Sequence, residues 1–424
     1  MIGFLVKGLL RDRSRSLFPV ITVVAGVTLT VFLYCWVSGS EAEYVRANAA
    51  FSTGHVKVMT RAYAREADRV PNDLALVGVG ELLEQLRGEF PALAWTPRTG
   101  FGGLLDIPDS AGETRSQGAA TGLALDLVSP GSPEPGILGL NSALVRGRLP
   151  AAPDEILLAD DFARRLEVEP GAIATLVGST MYGSMATWNF RVAGTVRFGI
   201  AALDRSAVVA DIGAVQSALD MTDAAGGILG FFPDGIWRPA QAAAAAERFN
   251  AGVADTTDEF SPVMYTLRDQ AGLARVLDLG AYVSGAVVAI FILAMSIVLW
   301  NAGLMGSLRR YGEFGVRLAV GESKGRIYRS LVAESLIVGL FGSVVGTALG
   351  VGISYYLQVR GLDIGPMLKN ASLVISNVIR ARVTPASFAV GFVPGIVATL
   401  LGSAISGAGI YRRQTSRLMK EMES

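Results

Sequence analysis

The stretch "RRYGEFGVRLAVGESKGRIYRS", residues 309–330, lies between two long apolar runs. It holds six basic residues, two acidic ones and four glycines. A linker between hydrophobic segments need only be polar, and this one has more pattern than that. Phe314 and Leu318 stand four apart, so a helix would place them on one face with Arg317 beside them. Gly321 suits the left-handed position that ends such a helix. Ser323 suits the N-cap of a second helix, running through Tyr328 into the next apolar run. The expected product is a short helix rigidly joined to a membrane helix. A loop that is basic only to keep it on the inner side of a membrane would explain the arginines. It would not explain the apolar pair, the glycine stop and the serine cap together.

Working outward, the chain is unusually apolar. Its 424 residues are 51% hydrophobic and only 17% charged, with a mean hydropathy of +0.44. A bilayer core needs about 20 apolar residues as a helix. Four segments meet that length: 17–37, 279–300, 331–357 and 388–410. Only the third holds an acid, Glu334, near its start, where a helix N-terminus favours one. The first run exceeds the roughly 7–15 residues of a signal-peptide core. Its nearest A-x-A site, Ala47-Asn48-Ala49, lies beyond Glu41, Glu43 and Arg46, so an uncleaved anchor is expected. Before it, Ile2, Leu5, Val6, Leu9 and Leu10 line one helical face flanked by Lys7 and Arg11, the pattern of an interfacial amphipathic helix.

Basic residues orient the spans. Lys7, Arg11, Arg13 and Arg15, the six of residues 309–330, and Arg412, Arg413, Arg417 and Lys420 all fall on one side of a four-span topology. That side is expected to be cytoplasmic, with both termini. Arg360, Lys369, Arg380 and Arg382 between the last two spans are a weaker contrary signal. The expected organisation is an interfacial helix and first span over residues 1–40, an extracytoplasmic domain over 41–277, and three spans with the cytoplasmic loop over 278–424.

Within 41–277, strand and helix patterns alternate, which predicts an α+β domain. "EILLADDFARRL" is a strand from Glu155 to Leu158, with Asp160 or Asp161 capping a helix. "FRVAGTVRF" alternates like a strand, and "QAAAAAERFNAG" is a helix with a glycine stop. The loop "LDLVSPGSPEPGILG" is rich in proline and glycine and suggests a separator between two lobes.

Several chemistries are disfavoured. The single histidine, His55, rules out a histidine metal cluster. The one G-x-S-x-G match, "GESKG" at 321–325, sits between apolar runs rather than after a strand. No G-x-x-x-x-G-K-[ST] occurs, so nucleotide hydrolysis by this chain is not expected. The net charge of zero gives no hint of nucleic-acid binding, and the lone Cys35 precludes an intrachain disulfide. Gly342, Gly346 and Gly350 recur every four residues in the third apolar run, and Gly391 and Gly395 do so in the fourth. Small residues at that spacing let helices approach closely, either within one bundle or as a subunit interface. Pro394 is placed to kink the last helix. No acid–base pair at mid-depth suggests ion coupling.

One span, a large outer domain, then three spans resembles the FtsX/MacB-type permeases of ABC transporters. "GEFGVRLAVGESKGRIYRSLVAESLIVGLFGSVVGTALG" is similar to that family's segment after the second span. "DEILLADDFARRLEVEPGAIATLV" and "FRVAGTVRFG" resemble its outer domain, and "GHVKVMTRAYARE" resembles the start of that domain in the lipoprotein-releasing LolC/LolE branch. The resemblance implies an inner-membrane permease that dimerises with an identical or paired subunit above a cytoplasmic ATPase dimer. ATP and magnesium would reside on that ATPase, and this chain would hold no cofactor, metal or catalytic residue. The coupling helix would be built from Glu313, Phe314, Arg317, Leu318, Gly321, Glu322, Ser323, Lys324 and Arg326. The implied function is mechanical transmission, for lipoprotein release to a periplasmic carrier. Alternatives are MacB-like efflux with a periplasmic adaptor, or an FtsX-like scaffold that controls a cell-wall hydrolase.

Overall fold

The computed structural model describes residues 13–109, 111–253, 257–270, 272–308, 311–363 and 378–412. The amphipathic pattern proposed for the N-terminus falls mostly on residues 1–12, outside the described residues. The chain divides into two units. One is sheet-rich, within Glu43–Asp278 and Asp363–Val378; the other is helical, within Met1–Ala42, Leu279–Leu362 and Ile379–Ser424.

The chain enters through α1, Arg13–Asn48, a 36-residue helix with Pro19 inside it, which ends in a π-helical turn over Ala49–Thr53. Among the described residues, the main sheet of the sheet-rich unit has ten strands: β1 Val56–Thr60, β2 Ala94–Pro108, β3 Thr114–Leu125, β4 Leu144–Gly147, β5 Glu155–Ala159, β6 Ile173–Ser179, β7 Met185–Val196, β8 Ala207–Asp211, β9 Gly227–Phe231 and β10 Pro262–Thr266. Their order is β10-β1-β9-β2-β3-β8-β5-β7-β4, with β6 paired to both β2 and β7. Strands β2, β3, β8, β5, β7 and β6 therefore form a closed ring of pairings, which removes their free edges. The length of β2 makes this possible. Its Ala94–Phe231 to Arg98–Gly227 stretch pairs with β9, and Gly103 to Asp106 pair with β6 along the same edge. Two pairings are parallel, β3 with β8 and β5 with β7; the rest are antiparallel.

Leu105, Ile156, Leu158, Phe162, Leu176 and Phe190 fill one core of the ring side. On the β10-β1-β9 side, Val56, Val58, Trp95 and Ile228 pack with α2, Val79–Glu89, and α5, Pro239–Gly252, through Leu86 and Phe249. Alternation along each strand supplies these inward residues, as the pattern of the sequence required.

Two local expectations need correction. Ala159, not an aspartate, stands at the N-cap of α3, Asp160–Arg165, and no side chain caps it. Asp160 is fully buried and instead accepts hydrogen bonds from Arg146, Thr195 and Arg197. A buried carboxylate keeps its charge only with such partners. The proline-glycine stretch is also no simple separator. Glu134–Ile137 within it is a helical turn whose Glu134 side chain is buried against Arg98 of β2. By contrast, Asp211 does cap α4, Ile212–Ala218, through the Gly213 N–H.

His55, just before β1, is packed inside the sheet-rich unit. Its Nδ1 accepts the Phe232 N–H at 2.9 Å, and its ring stacks on Phe232. Burial is the main cause of a pKa lowered from 6.5 to about 4. The folded protein thus holds His55 neutral where the unfolded chain takes up a proton. Stability is unaffected above pH 6.5 and falls as pH drops from about 6.5 toward 4. The expected loss between pH 6.5 and 4.5 is about 1–2 kcal/mol after solvent screening. Melting curves of wild type and His55→Asn, whose amide oxygen replaces the Nδ1 acceptor, check this. The variant should lose most of that pH slope, and an unchanged slope refutes the assignment.

The helical unit continues with α6, Leu273–Leu308; α7, Tyr311–Ala319; and α8, Lys324–Arg360. It ends with a helical turn at Ser387–Val390, a π-helical stretch at Val393–Ala398 and α9, Thr399–Arg412. Among the described residues, four helical segments are long and apolar enough to cross a membrane: Leu17–Thr53, Leu273–Asn301, Lys324–Arg360 and Ser387–Ala408. The first three outrun the apolar runs of the sequence, because backbone hydrogen bonding does not stop where polar side chains begin.

Candidate functional site

The loop between the second and third apolar helices folds as two helices with a defined stop between them. Gly321 has φ +94°, a backbone that side-chain-bearing residues rarely adopt. The Glu322 N–H donates to Arg317 O at 3.0 Å and the Gly321 N–H donates to Leu318 O at 3.1 Å. This pair of bonds is a Schellman motif, and it fixes the exit angle of α7. Only Glu322 and Ser323 then separate Gly321 from α8.

Ser323 occupies the N-cap of α8 with extended backbone, but its side chain makes no capping bond. The Ser323 carbonyl accepts from the Arg326 and Ile327 N–H groups, the opening bonds of the helix itself. The expected hydroxyl cap is absent. Among the coupling residues, Arg317 and Arg326 are exposed, Leu318 is half-buried, and Glu322 and Lys324 are partly exposed. The side chains of Glu313 and Phe314, and with them the proposed Phe314–Leu318 face, lie outside the described residues. A different apolar pair stands out. Val316 and Val320, also four apart, are 45% and 85% exposed. Sequence reasoning passed over them, although the alternation of Val316, Leu318 and Val320 was visible.

The glycines form the second feature. A β-carbon on Gly342 would lie 2.6 Å from Val23 Cγ1, one on Gly346 2.8 Å from Val24 O, and one on Gly350 2.9 Å from Val31 Cβ. The stripe of α8 is therefore a groove that receives the ridge Val23, Val27, Val31 and Cys35 of α1, all buried. Thr28 Oγ1 donates to Gly346 O at 3.1 Å across this contact. Gly391 would meet Val27, and Gly395 would collide with Ser343. The reading of these stripes as a subunit interface is thus corrected. Their smooth faces are filled inside the chain, because close backbone approach recovers dispersion contacts that lipid cannot supply.

Among the described residues no group of three or more His, Cys, Asp or Glu is placed to hold a metal. Four apolar helices, a sheet-rich domain between the first two, and a basic helix–stop–helix loop define a polytopic membrane protein of permease architecture. Residues 285–415 match the FtsX-like permease C-terminal family. The chain is 33% identical over 93 residues to the macrolide export ATP-binding/permease protein MacB of Hyphomonas neptunium, covering 22% of this chain and 14% of that protein. It is 28% identical over 96 residues to the ABC transporter permease YknZ of Bacillus subtilis, covering 23% and 24%. The periplasmic region of MacB from Actinobacillus actinomycetemcomitans aligns over 55% of this chain and 95% of that structure, at 13% identity and a TM-score of 0.37. Residues 285–415, which hold α7, its stop and α8, are therefore similar to FtsX-like permeases.

Proposed function

We infer that this chain is the permease subunit of an ABC transporter. A separate cytoplasmic ATPase dimer, holding ATP and magnesium, would seat α7 and move α8 through the rigid Gly321 stop. The permease would work as a dimer in the inner membrane, with both termini inside and the sheet-rich domain in the periplasm. The observation that carries this reading is the family match over residues 285–415, which contains α7, its stop and α8. Matched relatives named for macrolide export favour efflux with a periplasmic adaptor as the transported task. Release of lipoproteins to a carrier is the second reading, and rests on the resemblance of "GHVKVMTRAYARE".

The exposed Arg317, Val316 and Val320 are the expected ATPase contacts. Arg317→Glu and Val320→Asp should each lower the ATPase that co-purifies with the tagged permease by about tenfold, with membrane insertion unchanged. That is about 1.4 kcal/mol of binding energy. Wild-type recovery of the ATPase in both variants would contradict the reading. A protease site inserted after Gly199 tests the orientation: it should be cut from outside in spheroplasts, and protection there would reverse the topology.

A further inference from the structure

The last membrane helix is not a continuous α-helix. It turns through Ser387–Val390, widens to a π-helix over Val393–Ala398 and returns to α-helix at Thr399–Arg412. Pro394 explains the widening. It has no N–H, and in an α-turn its ring would press on the carbonyl of Val390; a wider turn relieves that contact. A π-turn also leaves carbonyls without their usual donor. Thr399 Oγ1 lies within hydrogen-bond distance of two carbonyls of this stretch, Gly395 O at 2.7 Å and Ile396 O at 3.1 Å, and Ile396 O also accepts the Thr399 N–H.

Three buried donors beside this helix have no hydrogen-bond partner among the described residues: Ser343 Oγ, Thr347 Oγ1 and Trp300 Nε1. Ser343 is wholly buried and Thr347 is 6% exposed. Each abuts a glycine of the final helix. Ser343 faces Gly395, Thr347 Oγ1 would be 3.0 Å from a β-carbon on Gly391, and Trp300 Cδ1 3.3 Å from one on Gly402. A buried donor left unmade costs free energy. Donors on α6 and α8 thus line a track of the helix that is free of side chains at Gly391, Gly395 and Gly402. Local packing alone gives no reason to align three such donors there, since Ser and Thr in a helix can bond back to their own chain.

We propose that Val393–Ala398 is a register switch: it converts between π and α, α9 turns and slides along α8, and Ser343, Thr347 and Trp300 take up the carbonyls that this motion presents. Loss of one π-turn residue rotates the helix beyond it by about 100° and advances it by about 1.5 Å.

The test uses the full chain in lipid nanodiscs, with Cys35→Ser and spin labels at Leu349 of α8 and Leu401 of α9, both half-exposed. A second pair, Leu29 and Leu349, serves as a reference that the switch leaves in place. Pro394→Ala restores the missing N–H and should move the Leu349–Leu401 distance by about 5 Å or more, with the reference pair unchanged. Adding Ser343→Ala and Thr347→Val to that variant should cut the moved population at least threefold, and Thr347→Ser should leave it in place. A Pro394→Ala distribution identical to wild type overturns the proposal. So does a moved population indifferent to loss of both hydroxyls.

Discussion

Replacing Glu134 by alanine should destabilise the sheet-rich domain by about 3–5 kcal/mol, the usual result of stranding one partner of a buried ion pair. Glu134 is fully buried and Arg98 is 3% exposed on its side chain. Arg98 donates to both carboxylate oxygens, at 2.7 and 2.6 Å, and its remaining terminal nitrogen donates to Ala50 O. Thr96 Oγ1 also donates to Glu134 at 2.8 Å, and the guanidinium lies 5.3 Å over the Phe231 ring. The pair therefore ties β2, the turn at Glu134–Ile137 and the π-turn after α1 to one another. Removing the carboxylate leaves a cation in a space that water does not reach. Removing both charges, as in Arg98→Met with Glu134→Leu, should bring stability back to within about 1 kcal/mol of wild type. Thermal and denaturant unfolding of the intact protein in detergent measures both. A Glu134→Ala loss below about 1 kcal/mol would show that the site rehydrates.

Gly346→Leu should cost about 3 kcal/mol or more, because the new side chain has no space to occupy. A single β-carbon there already falls 2.8 Å from both Val24 O and Val27 Cβ. The leucine must push α1 from α8 and break the Thr28–Gly346 hydrogen bond. Gly352 on the same helix is the internal control, since a β-carbon there meets nothing within 4 Å. Gly352→Leu should stay within about 0.5 kcal/mol of wild type. The contrast separates packing from helix propensity, because leucine is the better helix former at both positions. Equal melting temperatures for the two variants would refute the groove.

Much of this molecule was legible in the sequence for a simple reason. Transfer of about 20 apolar residues into hydrocarbon is a local property, and so are glycine's freedom at Gly321 and the strand alternation of "FRVAGTVRF". The coupling loop was legible in outline but not in its contacts. Ser323 stands at the N-cap as expected, yet its hydroxyl makes no capping bond, because side-chain rotamers answer to the surroundings. Val316 and Val320 were overlooked because exposure is not written in residue type.

The sequence by itself determined the four long apolar helices, the helix stop in the basic loop and the mixed strand and helix character of the intervening domain. Each depends on residues within a few turns of one another. Only the tertiary structure decided which surface fills the α8 glycines, that Glu134 belongs to Arg98, that six strands close through β6, and that Pro394 yields a π-turn. Those outcomes join residues 36 positions apart at Arg98–Glu134 and 318 apart at Thr28–Gly346. A periodic pattern says which face of an element must be covered, and packing alone selects the face that covers it.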